Sequence, residues 1–138
     1  MRSTEETAAD RFFKNWHIWT NFLPYPFQLM GPNFRMWGDV ILVEVSKVSE
    51  DCVSLDGIIN IGERRQGFTT DCLYQLCYSA NAAEVKIIGE INPKPFYRKG
   101  ANKIQLRRWY RKYGFKVNRH FEMEREPCDL GISSWMQR

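Results

Sequence analysis

Between Ile58 and Ala80 the chain reads IINIGERRQGFTTDCLYQLCYSA: an apolar strand, a loop rich in Arg and Gly, then an amphipathic helix. The loop Arg64-Arg65-Gln66-Gly67-Phe68-Thr69 places backbone N–H groups at a helix start, where unpaired donors and the helix dipole favour an anion. Arg64 and Arg65 add charge and forked donors suited to phosphate. The stretch therefore reads as a loop shaped to hold a pyrophosphate. A second concentration of charge lies further on. Between Ile91 and Phe121 there are ten cations (Lys94, Arg98, Lys99, Lys103, Arg107, Arg108, Arg111, Lys112, Lys116 and Arg119) and no acid. Lys103, Arg107 and Arg111 fall at i, i+4 and i+8, one stripe along a helix. Such a run repels itself and attracts phosphate-bearing partners or an acidic protein surface, while a solvated helix face is the plain alternative.

These residues must be positioned by a chain of 138 residues, a length that suits one domain (1–138) with a core of its own. Its 43% hydrophobic and 26% charged content is that of an ordinary globular protein, and the net charge of +4 permits acidic partners without demanding them. No apolar run approaches the ~18 residues of a membrane span. The opening MRSTEETAAD lacks a signal peptide's apolar segment, so the expectation is a cytoplasmic protein with no membrane partner. Cys52, Cys72, Cys77 and Cys128 form no C-x-x-C pair, and with His17 and His120 the only histidines no metal site is expected. Cys72 and Cys77 fall in a predicted helix as small buried residues.

The capping-box pattern of Ser3 with Glu6 predicts a first helix from Thr4 to about Thr20, with Phe12, Phe13, Trp16 and Trp19 as a core stripe. Pro24, Pro26, Gly31 and Pro32 predict a loop over Asn21 to Gly38. Asp39 to Val48 and Cys52 to Ile61 read as an antiparallel hairpin around Ser49-Glu50-Asp51, with Leu42 and Glu44 on one face and Val43 and Val45 on the other. Gly57 inside the second strand predicts a bulge or a close backbone approach. Thr70 to Asn81, capped by Thr69 or Thr70, is a helix buried through Leu73, Leu76, Cys77 and Ala80. Glu84 to Ile91 follows as a strand, and strand–helix–strand in so short a span predicts a parallel pair. Ala101 to Tyr113 is a helix with Leu106, Trp109, Tyr110 and Tyr113 inward and Gly114 as its stop, and Phe115 to Glu122 is a last strand. The tail from Pro127 shows no pattern beyond Trp135 as an anchor.

Two motifs in this order resemble the Gcn5-related N-acetyltransferase superfamily. Arg64-x-x-Gly67-x-Thr69 looks like its pyrophosphate loop, with Thr69 where the family has Gly or Ala. Trp109-Tyr110-Arg111-Lys112-Tyr113-Gly114-Phe115 looks like the end of its fourth helix. The resemblance covers residues 39–122 and leaves 123–138 as a tail. It implies an α/β fold: a mixed, mostly antiparallel sheet, splayed beside the bulged strand, with helices on both faces and the family's first strand absent. It implies acetyl-CoA held by Ile59, Ile61, Arg64, Arg65, Gln66, Gly67, Phe68, Thr69 and Asn102, Ile59 and Ile61 through the bulged strand's backbone. Asn102 stands one residue further from Tyr110 than the family's asparagine does.

By the same resemblance Tyr110 is the acid that protonates the departing CoA thiolate. Transfer of an acetyl group to an amine also needs a proton acceptor, and Glu44, Asp56 and Glu90 are the candidates, each equally readable as a solvated strand acid. Three functions follow. The first is an N-acetyltransferase acting on an unidentified amine. The second is a related but inactive fold that binds a protein partner or a second copy through a sheet edge or aromatic surface. Bacteriophages encode small relatives of this kind, some as virion components. The third, ranked behind these, is nucleic-acid binding through the basic stripe.

Overall fold

A computed structural model describes residues 6–23, 33–38, 41–60, 68–91 and 103–128. Ile61, Arg64, Arg65, Gln66, Gly67 and Asn102, the Ser3 cap and Trp135 lie outside the described residues.

Helix α1 spans Ala8–Trp19. Its capping box is Thr7 with Asp10, where Ser3 with Glu6 was expected: the Asp10 N–H donates to Thr7 Oγ1 at 3.1 Å and the Thr7 N–H to Asp10 Oδ2 at 3.2 Å. The same chemistry recurs one turn later, and Ala8 and Ala9 behind it propagate the helix. Glu6 instead pairs with Lys14. Phe12 and Trp16 are fully buried, whereas Trp19 is exposed, so the stripe is core for three of its four rings.

The sheet has six strands: β1 (Phe34–Trp37), β2 (Ile41–Ser49), β3 (Cys52–Asn60), β4 (Lys86–Glu90), β5 (Lys116–Val117) and β6 (Glu122–Arg125). Their spatial order is β1-β2-β3-β4-β6-β5. Only β3 and β4 run parallel, joined by α2 (Phe68–Ala83). Helix α3 (Lys103–Arg111) links β4 to β5.

Strand β1 corrects the loop expected over Asn21 to Gly38. Four residues are too few to show a period, and what builds the strand is Arg35. Its guanidinium donates to Thr20 Oγ1, Thr20 O and His17 O, so the cation caps the negative end of α1 and holds the strand beneath it. The last strand is likewise a hairpin. Asn118 turns the chain, its side-chain oxygen accepting from the His120 and Glu122 N–H groups, and Phe121 takes a left-handed φ of 63°.

One face of the sheet (Val43, Val45, Val53, Leu55, Ile87, Val117, Met123) meets Ala9, Phe12 and Trp16 of α1, Leu73, Leu76, Cys77 and Ala80 of α2, and Tyr110 of α3 in one apolar cluster. Helices were expected on both faces; the described helices all pack on this one. The reason lies in the residues opposite. Apart from Leu23, Met36, Leu42 and Ile59, which cluster at the β1–β3 end, and Cys52 and Ile88, the other face is polar, with Ser46, Ser54, Asp56, Lys86, Glu90, Glu122 and Glu124. A surface that polar needs no helix to cover it. No described helix is long and apolar enough to cross a membrane.

Candidate functional site

Three elements converge where β3 ends. The β2–β3 ladder shifts register between Glu44↔Gly57 and Val45↔Leu55, leaving Asp56 as the extra residue of a bulge. The expectation drawn from Gly57 is met one residue wide of the glycine itself. Beyond the bulge β3 stays paired with β2 as far as Ile41↔Asn60, whereas the parallel ladder with β4 stops at Leu55↔Gly89. The parallel ladder thus ends level with Asp56, one residue before β4 itself ends at Glu90.

Gly89 forms the last rung. A Cβ there would lie 2.8 Å from the Leu55 carbonyl oxygen and 2.9 Å from Met123 Cε, so only glycine lets the last rung close. At the bulge the Asp56 carboxylate accepts a hydrogen bond from Ser46 Oγ on one oxygen and from Ser54 Oγ on the other, each 2.6 Å long. Two donors on two strands fix the orientation of an exposed acid, which is more than a solvated face requires. Glu90 is exposed and sits across from Glu122; Glu44 is half-buried between Phe34 and Gly57 in the sheet.

Helix α2 begins at Phe68, so Thr69 and Thr70 lie in its first turn and neither is its cap. The opening N–H groups of this turn have no partner within the helix by geometry. Thr70 instead reaches across to α3: its Oγ1 accepts the Trp109 indole N–H at 3.1 Å, which ties the start of α2 to that helix. That contact was missed in the sequence, where Trp109 registered only as an apolar ring.

Tyr110, the expected acid, is 6% exposed. Its ring packs edge-on against Phe115 at 5.2 Å and tilted against Trp109 at 4.9 Å. The backbone explains the placement. The Phe115 N–H donates to Tyr110 O and the Gly114 N–H to Arg111 O, with Gly114 at φ 94°: a Schellman end, in which the two flanking apolar residues meet. Ile59 turns its side chain into the second cluster, on the face away from the helices, which leaves its backbone as the part a ligand could meet. Tyr110 and the three candidate acids thus lie on opposite faces of the sheet.

Arg125, unremarked in the sequence, is 1% exposed beneath the ends of α2 and α3. Its Nε donates to Tyr113 O at 2.7 Å and an Nη to Asn81 Oδ1 at 2.8 Å. The alternation of Met123 with Arg125 was the available signal, masked by the rule that arginines face water. Burial pushes the Cys72 thiol up and the Cys77 thiol up to about 12, so both are inert packing groups at neutral pH. Among the described residues no three His, Cys, Asp or Glu side chains converge on one point.

No protein-family profile matches the chain, and neither a curated protein nor a solved structure matches it.

Proposed function

We propose that this protein is an acyl-CoA-dependent N-acetyltransferase of the Gcn5-related type, moving an acetyl group to an amine. The observation that carries the reading is the stop in the β3–β4 ladder at Leu55↔Gly89, level with the Asp56 bulge. An extended ligand can lie along β3 there, with its phosphates toward the α2 N–H groups and its reactive end between the parting strands. The strand–strand–helix–strand–helix–strand order from β2 to β5 supports the same assignment.

Acetyl-CoA supplies the activated thioester when bound. Asp56, held by Ser46 and Ser54, takes a proton from the attacking amine on the helix-free face. Tyr110 gives a proton to the departing thiolate from the helix face. This reading requires β3 and β4 to diverge beyond the last rung, so that groups on opposite faces address one carbon. Thr69 adds a branched side chain to the turn that must approach phosphate.

The test is thermal melting with acetyl-CoA, followed by release of free thiol in the presence of a panel of amines. Stabilisation by the nucleotide and thiol release that Asp56→Asn and Tyr110→Phe each lower by about 10²-fold are expected, the usual span of general acid–base effects. No melting shift at millimolar acetyl-CoA would sink the reading.

The burial of Tyr110 between Phe115 and Trp109 favours a second reading: the same fold without catalysis, serving as an interaction or assembly subunit. Under it acetyl-CoA binds or not, but Tyr110→Phe changes stability and no rate.

A further inference from the structure

Helix α3 and residues 112–121 after it carry cations and no acid. Lys103, Arg107 and Arg111 make one row along the helix, and Arg108 and Lys112 make a second beside it. None of the five forms an ion pair within 4.0 Å with another described residue. The helix contains no acid to supply one. Cations one turn apart repel, so this arrangement works against the helix unless something neutralises it.

Part of the row is held in place. Lys103 Nζ lies 5.0 Å and Arg107 Cζ 5.2 Å from the centroid of the Phe121 ring, and an Arg111 Nη donates to Val117 O at 3.3 Å. Two like charges share one ring at the apex of a hairpin, which reduces the side-chain freedom either would lose on meeting a ligand. Acids are placed elsewhere: Glu90, Glu122 and Glu124 lie on the helix-free face of the sheet. On that face the cation Lys86 pairs with Glu124 and Glu126, whereas the α3 cations have no such acids beside them in the helix.

What partner fits follows from the rest of the helix. Its apolar face (Leu106, Trp109, Tyr110, Tyr113) packs on the core, which leaves Ile104 as the one exposed apolar side chain of α3, too little to lay into a lipid surface. Among the described residues the aromatic on the basic side is Phe121, partly buried and covered by Lys103 and Arg107 and so not open for stacking unpaired bases. A straight rod with a cation on every turn, about 5–6 Å apart, suits the evenly spaced phosphates of a stiff backbone. We propose that this surface docks on the phosphate backbone of a nucleic-acid duplex, without reading its sequence. The inference goes beyond the acetyltransferase reading and does not depend on it.

Fluorescence anisotropy with a labelled DNA duplex tests it, titrated over a range of salt. With about four phosphates contacted, log K is expected to fall by roughly 3 to 4 per log unit of salt, equally for unrelated sequences. Arg108→Gln with Lys112→Gln, two side chains outside the Phe121 and Val117 contacts, is expected to lower that slope by about 2 and leave the melting temperature unharmed. Lys103→Gln with Arg107→Gln serves as the second pair, its fold checked by circular dichroism. A slope near zero, an unchanged slope in both pairs, tighter binding to a single strand or to polyglutamate than to the duplex, or displacement of the duplex by stoichiometric acetyl-CoA would each overturn the proposal.

Discussion

The rung between Leu55 and Gly89 makes a demanding claim, because one methyl group should break it. In Gly89→Ala the new Cβ would start 2.8 Å from the Leu55 carbonyl oxygen, where ordinary contact begins at 3.4 Å. Strands β3 and β4 must separate by several tenths of an ångström at the one place where their ladder ends. Met123 Cε, 2.9 Å away, is the free end of a flexible side chain and can turn aside; the carbonyl is backbone and cannot. Overpacking of this kind costs about 2 kcal/mol. In urea unfolding, with a slope of roughly 2 kcal/mol per molar, the midpoint should fall by about 1 M. Met123→Leu removes the Cε atom at nearly constant volume and separates the two obstacles. If the carbonyl dominates, the double variant should show a coupling energy below about 0.5 kcal/mol; if the methionine tip dominates, it should exceed about 1 kcal/mol. An unshifted midpoint for Gly89→Ala would refute the close approach altogether, and a large coupling would refute its assignment to the backbone.

Arg125→Met should cost roughly 2 kcal/mol in the same assay, because it removes the donors to half-buried Tyr113 O and buried Asn81 Oδ1, the latter keeping the Cys128 N–H. Thr7→Ala should cost about 1 kcal/mol through loss of the α1 cap. The backbone and then the side-chain hydrogen bond of Thr7 hold the Asp10 carboxyl below the usual carboxylate range, so that contribution is present above the unfolded value and lost as pH falls through the folded one. A melting-temperature titration in acid should be shallower in Thr7→Ala. Partial desolvation and then the Arg35 charge hold the His17 imidazole below its ordinary value. The unfolded chain therefore takes up that proton first: stability is intact above about pH 6.5 and declines as pH drops toward the folded value. His17→Gln should flatten this segment of the profile, since the bond from Arg35 goes to the His17 backbone oxygen and survives.

Periodic elements were legible in the sequence, and pairings that depend on single polar contacts were not. Leu73, Leu76, Cys77 and Ala80 announced a buried helix face and occupy one. Gly114 announced a helix stop and takes the left-handed φ that a stop demands. The β2–β3 hairpin and the parallel β3–β4 pair follow from strand chemistry and crossover length. Strand β1 escaped because its tether is Arg35, which charge alone assigns to the surface. The β5–β6 turn escaped because Asn118 and a left-handed Phe121 make it, without the Gly that usually signals one. Of the site, the bulge was visible through Gly57, but the Ser46–Asp56–Ser54 arrangement was not. It joins residues two and ten apart through a register shift, and a shift of one residue changes which side chains share a face.

That register shift also explains how one sheet can carry two kinds of chemistry. Without the bulge, strict alternation would send Ile58 to the helix-free face; with Asp56 inserted, Ile58 packs with the helix-side cluster while Ile59 fills the opposite one. The extra residue therefore serves the core on both sides at once, and its own side chain is left over at the surface, where two serines orient it. A purely structural bulge would be served as well by Asn or Gly, and would need no partners for its side chain. The insertion thus carries more polar alignment than packing requires, beside the last rung of the β3–β4 ladder. Packing accounts for the bulge, and the two serine donors fix the direction in which its carboxylate meets solvent.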